Sequence, residues 1–138
     1  MTPQQLEVIH KSAFQQTRAW SASEFSDLLE SPLCFLITND ESFAIGRVIG
    51  PEVELLTLAV APSRQQKGIG RACLAAYESM AQNKGATESF LEVSAANTAA
   101  IHLYKTSGYA EISRRPNYYE VSDGTREDAL IFRKSLVF

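Results

Sequence analysis

The feature that most constrains this chain is a strand that meets a proline, a polar turn and two closely spaced glycines before a helix. It reads Leu55-Leu56-Thr57-Leu58-Ala59-Val60-Ala61-Pro62-Ser63-Arg64-Gln65-Gln66-Lys67-Gly68-Ile69-Gly70-Arg71. The apolar, partly β-branched run has strand length and suits a buried strand. Pro62 ends the ladder because it has no N–H to donate. Ile69, Cys73, Ala76, Tyr77 and Met80 then recur at three- and four-residue steps, one apolar helical face, and Lys84-Gly85 closes the helix. At such a helix start the first N–H groups lack intrahelical partners and the dipole favours negative charge. Glycines at 68 and 70 let a phosphate approach the backbone. The spacing Gln65-x-x-Gly68-x-Gly70 fits neither the dinucleotide fingerprint nor the P-loop, and a tight strand-to-helix turn accounts for it equally well.

The rest of the chain is organised around that unit. Its 138 residues are enough for one domain with a proper core. With 45% hydrophobic and 21% charged residues the composition is that of a globular protein. A net charge of −3 argues against a general nucleic-acid binder. The absence of a secretory pattern or a membrane-length apolar run leads us to expect a cytoplasmic protein without a membrane partner. Cys34 and Cys73 have no metal-like spacing, so neither a metal nor a disulfide is expected. Oligomeric state is not written in the sequence.

Taken in order, Thr2 and Pro3 start a helix whose face carries Leu6, Ile9, His10, Ala13 and Phe14. Ser21-Ala22-Ser23-Glu24 is a capping-box pattern followed by Phe25, Leu28 and Leu29, and Pro32 stops that helix. Residues 34–38 and 42–49 read as a hairpin, with 52–60 as the third strand of an antiparallel meander. Helix 68–84, strand 89–94, a helix from Asn97 to a Gly108 cap, and strands 109–115 and 128–137 follow. This order describes an α+β sandwich around a mixed, largely antiparallel central sheet with helices on both faces.

Three residues stand out chemically. Glu92 lies among Phe90, Leu91 and Val93; a partly buried carboxylate there gains basicity, whereas a solvated one on a polar strand face does not. Asn97 opens a helix and can simply cap it. Tyr104 lies two turns along the same helix and by composition is a core aromatic. His10 reads as a packing residue, and His102 has no evident partner.

The run Gln65 to Gly70 resembles the pyrophosphate loop Q/R-x-x-G-x-G/A of the GNAT N-acetyltransferases, and Leu58-Ala59-Val60-Ala61-Pro62 is similar to that family's strand and bend. Residues 91–109, Leu-Glu-Val-Ser-Ala-Ala-Asn-Thr-Ala-Ala-Ile-His-Leu-Tyr-Lys-Thr-Ser-Gly-Tyr, resemble L-E-V-R-x-S-N-x-x-A-x-x-L-Y-x-x-x-G-F of the RimI type, the bacterial ribosomal-protein-alanine N-acetyltransferases. Arg114-Arg115-Pro116-Asn117-Tyr118-Tyr119 and Arg126-Glu127-Asp128-Ala129 are similar to its R-R-x-Y-Y and G-E-D-A, as are Phe14 and Trp20-Ser21 near the start. The likeness covers nearly the whole chain. It departs at Pro116, at residues 121–125 and at Ala95-Ala96, near where an acceptor peptide would sit.

The resemblance implies a GNAT fold and acetyl transfer from acetyl-CoA, without a metal, to the α-amine of a protein N-terminus, an alanine of a ribosomal protein or similar. It puts the general base on Glu92 and the general acid on Tyr104. It puts acetyl-CoA contacts on Leu58, Ala59, Val60, Gln65, Gln66, Lys67, Gly68, Ile69, Gly70, Arg71 and Asn97. A backbone N–H near Leu58 is then the oxyanion donor. Trp20, Tyr118 and Tyr119 either line the acceptor groove or belong to the core. Cys73, on an apolar helical face, reads as inert rather than as a covalent nucleophile. A GNAT enzyme for a small amine or lysine, or a CoA-binding module without turnover, are the other readings; a pure binder needs neither acid nor base.

Overall fold

The structure is a computed structural model that describes residues 1–13, 20–39, 41–65, 67–120 and 124–137. Phe14, Asp40, Gln66 and residues 121–123 lie outside the described residues. Helix α1 (Pro3–Ala13) opens with the Gln5 N–H donating to the Thr2 hydroxyl, and α2 (Ala22–Glu30) with the Ser21/Glu24 capping box. Strands β1 (Cys34–Asn39), β2 (Ser42–Ile49) and β3 (Glu52–Val60) form the meander. A single 3-10 turn, Pro62–Arg64, leads to α3 (Ile69–Asn83). Then come β4 (Glu88–Ser94), α4 (Thr98–Thr106), β5 (Ala110–Glu120) and β6 (Arg126–Ser135). The sheet order is β1-β2-β3-β4-β6-β5, antiparallel throughout except for the β3–β4 pair.

Strand alternation sends side chains to two cores. Phe43 and Ile45 of β2 join Leu6, Phe25 and Ala59 beneath α1 and α2. Ala44, between them, joins Val53, Leu55, Leu91, Val93, Cys73, Tyr77 and Tyr104 beneath α3 and α4. Each large apolar side chain removed from water in this way contributes about 1.5–3 kcal/mol. His10 is a core residue of the first cluster, stacked on Trp20 at 5.3 Å and accepting the Trp20 N–H on Nδ1.

Two differences from the sequence expectation have simple causes. Helix α3 buries Cys73, Leu74, Tyr77 and Ala81, while Ala76 is exposed: a small apolar residue tolerates either side, and the larger Leu74 sets the face. Strand β5 is longer than 109–115 suggests, because it continues past Pro116 as an edge strand, while β6 has the length of the expected 128–137 but starts and ends two residues earlier. Tyr118 and Tyr119 therefore lie in β5. Among the described residues no helix is long and apolar enough to cross a membrane.

Candidate active site

The sheet opens at its centre. β3 and β4 pair only over Glu52–Leu55 against Glu88–Leu91. Beyond that point β3 stays with β2 as far as Val60, and β4 stays with β6 as far as Ser94. The two strands thus diverge, leaving a wedge whose walls are Leu56 to Val60 on one arm and Glu92 to Ser94 on the other. Backbone donors and acceptors facing the wedge have no ladder partner, the arrangement of an internal sheet edge able to take an extended ligand. A bulge sharpens the divergence: Ile45 pairs Thr57 and Gly46 pairs Leu55, so Leu56 has no partner on β2.

At the wide end of the wedge sits the glycine-bearing turn. Gln65 Nε2 donates to the Val60 carbonyl at 3.1 Å, tying the turn back to the strand. Gly68 caps α3 at φ +77°, the left-handed region, with open space around it, so backbone conformation rather than crowding selects glycine here. Gly70 packs between Val60 and Leu103, so the start of α3 also touches α4. Lys67 and Arg71 are exposed. Arg71 donates to the Thr106 hydroxyl at 2.7 Å and the Ser107 hydroxyl at 3.0 Å, which places its cation at the C-terminal end of α4. Asn97 caps α4 with its side-chain oxygen on the Ala100 N–H at 3.1 Å.

Glu92 leaves β4 on the face opposite Leu91 and Val93 and lines a cleft of about 280 Å³ with Arg47, Ile49, Glu52, Glu54, Phe90, Arg115 and Ile131. Its side chain is 26% exposed. Oε1 is buried without a hydrogen bond, and Arg115 Nη1 stands 3.8 Å from it. Burial raises the carboxyl above the ordinary range; Arg115 pulls it back and Glu54 adds to the rise. Tyr119 belongs to the same neighbourhood: burial, then the Glu92 charge, push it up to about 12. Tyr118 is half exposed and meets Tyr119 edge-on at 5.2 Å.

Tyr104 lies on the other side of the sheet, buried against Tyr109 and Phe132. Burial and the nearby Cys73 raise its hydroxyl, which has no hydrogen-bond partner among the described residues. Cys73 is fully buried, and burial raises its thiol despite the opposing effect of a hydrogen bond to Ser42, so no thiolate nucleophile is prepared there. Among the described residues no group of His, Cys, Asp or Glu is placed to hold a metal ion.

Structure thus brings Glu92, Tyr119 and the β3–β4 wedge together, and Gly70 and Arg71 at the start of α3 against α4. Trp20 instead packs with His10 and Phe25 under α1 and α2. Sequence reasoning passed over Arg47, Glu54 and Arg115. On their own strands the first two read as a solvated polar face, and only the pairing of β2 with β3 reveals Arg47 bonded to Glu54 at 2.9 Å.

The chain belongs to the acetyltransferase (GNAT) family, whose model matches residues 5–109. It is an acetyl-CoA-dependent N-acetyltransferase. It is 40% identical over 116 residues to the [ribosomal protein bS18]-alanine N-acetyltransferase of Escherichia coli K12, covering 81% of this chain and 78% of that one. The corresponding Salmonella typhimurium enzyme is 37% identical over 123 residues, covering 85% and 82%. The crystal structure of the Escherichia coli ribosomal-protein-S18-alanine N-acetyltransferase superposes with a TM-score of 0.85 at 32% identity, over 97% of this chain and 87% of that chain. Arabidopsis thaliana NAA60, solved in complex with acetyl-CoA, shares the fold at a TM-score of 0.82 and 19% identity, over 97% and 93%.

Proposed function

We propose that this protein acetylates the N-terminal α-amine of a ribosomal protein, with alanine as first residue, in the cytoplasm. The observation that carries the reading is Glu92: a carboxylate made more basic by burial, at the edge of the wedge, in a chain 40% identical to an enzyme named for that reaction. The residues fit acetyl-CoA. The unpaired β3 arm, Leu58 to Val60, offers backbone partners to an extended pantetheine. The N-terminus of α3, with Gly68 in the left-handed region, offers free N–H groups to the pyrophosphate. Gln65, Lys67, Ile69, Gly70 and Arg71 complete that turn, Gln66 is carried as a further contact from outside the described residues, and the Asn97 amide nitrogen, which its capping role does not use, is available to the cofactor.

An α-amine has a pKa near 7.7–8.0 and must be neutral to attack. Glu92 takes its proton, directly or through a water, as nitrogen bonds to the thioester carbonyl carbon. The N–H groups of the bulged β3 arm, near Leu58, face the developing oxyanion. Tyr104, kept protonated by burial, gives its proton to the departing thiolate. Base and acid thus work from opposite faces of the sheet, with the wedge as their meeting point. Tyr118 and Tyr119 flank the acceptor; Trp20 orders the α1–α2 side of the groove from within its core.

The test is transfer of labelled acetyl from acetyl-CoA to peptides with a free N-terminal alanine or serine, the same peptides Nα-blocked, peptides with internal lysines, and small polyamines. Labelling confined to free N-termini is expected. Labelling of lysines or polyamines instead would overturn the acceptor assignment, and acetyl-CoA binding without any transfer would overturn the catalytic one.

A further inference from the structure

The distal part of β5 does not run flat against β6. Its pairing slips between Arg115 and Tyr119, and Asn117 adopts φ +52°. Pro116 has no N–H to offer the ladder. Asp128 pins the distortion from β6: one carboxylate oxygen accepts the Asn117 N–H at 3.0 Å and the other accepts Arg114 Nη1 at 3.2 Å. Arg115, at the start of the bulge, lines the cleft with its guanidinium over the Tyr118 ring at 5.3 Å and Nη1 3.8 Å from Glu92 Oε1. That separation is too long for a hydrogen bond. Arg115 therefore acts on Glu92 through space, and Oε1 keeps its lone pairs for an incoming amine or water.

We infer that Arg115 is a positioning residue for acetyl transfer, placed by the Pro116–Asn117 bulge so that its charge keeps the Glu92 carboxylate ionised in the cleft. The inference rests on Glu92 being the base. The groups that face Glu92 are Arg115 and Tyr119 from β5, Glu52 and Glu54 from β3, and Arg47 from β2; β6 contributes only the uncharged Ile131. Arg47 is bonded to Glu54 at 2.9 Å, which offsets part of the Glu54 charge. Glu52 adds negative charge. Among the described residues Arg115 is the cation within 4 Å of Glu92. Burial and Glu54 both favour the protonated acid, and Arg115 opposes them. The sign follows: without Arg115 the carboxyl titrates at higher pH, and a base that must be ionised fails earlier as the pH falls.

Arg115→Gln and Arg115→Lys test this with two readouts. One is the carbon-13 carboxyl titration of Glu92, its resonance identified by its loss in Glu92→Gln. The other is the pH profile of kcat/KM for a free-alanine peptide. For Arg115→Gln we expect the titration to move to higher pH. On the acid limb kcat/KM falls on the order of five-fold below wild type, the effect of one Coulomb contact near 4 Å in largely aqueous surroundings. The loss closes at alkaline pH. Arg115→Lys stays within about two-fold, and both variants bind acetyl-CoA as wild type does. An unmoved Glu92 titration in Arg115→Gln, or equal displacement by glutamine and lysine, overturns the inference. A titration that moves while the acid limb stays fixed removes Glu92 from the base role, and the inference falls with it by a distinguishable route.

Discussion

Glu92 and Tyr104 experience the same physical influence with opposite usefulness. Burial raises both pKa values, which makes the carboxylate a better base and holds the phenol in its protonated form. Tyr104 fills the core with its ring and makes no hydrogen bond to another described residue through its hydroxyl. Tyr104→Phe should therefore keep the melting temperature within a degree or two while kcat falls on the order of 100-fold, the usual worth of a positioned proton donor. A loss of less than two-fold would remove Tyr104 from the acid role. Both residues were visible in the sequence as types at the right spacing. The core setting of Tyr104 was legible too, but that of Glu92 was not, because its burial depends on Arg47, Glu54 and Arg115, which reach it from other strands.

The elements were legible wherever their signals are local. Ser21 with Glu24, Asn97 three residues before Ala100, and Pro62 at the end of β3 each act within one turn of chain, and the structure has them as the sequence suggests. The bulge at Leu56, the wedge and the kink at Asn117 arise from how strands pair, and one strand read alone carries no trace of its register. Gly68 lies at the border of these cases: its position was legible, its left-handed backbone was not. A Cβ added at Gly68 meets nothing within 4 Å, yet a Gly68→Val variant must either pay about 1–2 kcal/mol to keep φ +77° or abandon the turn. Calorimetry should show acetyl-CoA binding weakened about ten-fold, with the fold retained by circular dichroism. Unchanged affinity would mean that the turn does not cradle the cofactor.

At the scale of the whole molecule, one sheet separates two environments and opens at its centre along the β3–β4 wedge. On one face α3 and α4 bury Cys73, Tyr77 and Tyr104 and present the glycine turn. A buried hydroxyl relay, Tyr77–Ser89–Tyr109 at 2.9 and 2.8 Å, ties α3, β4 and the residue before β5 together, so the wedge has a stiff back wall. On the other face β2, β3, β4 and β5 frame the charged cleft around Glu92. In the proposed mechanism cofactor and acceptor take different sides, with the chemistry in the gap between them. Substituting Glu92 by glutamine separates the two most directly, since it preserves shape and removes only the base. Acetyl-CoA affinity should stay within about two-fold of wild type, while kcat/KM for a free-alanine peptide falls on the order of 100- to 1,000-fold at neutral pH. Undiminished turnover with Glu92→Gln would contradict the account.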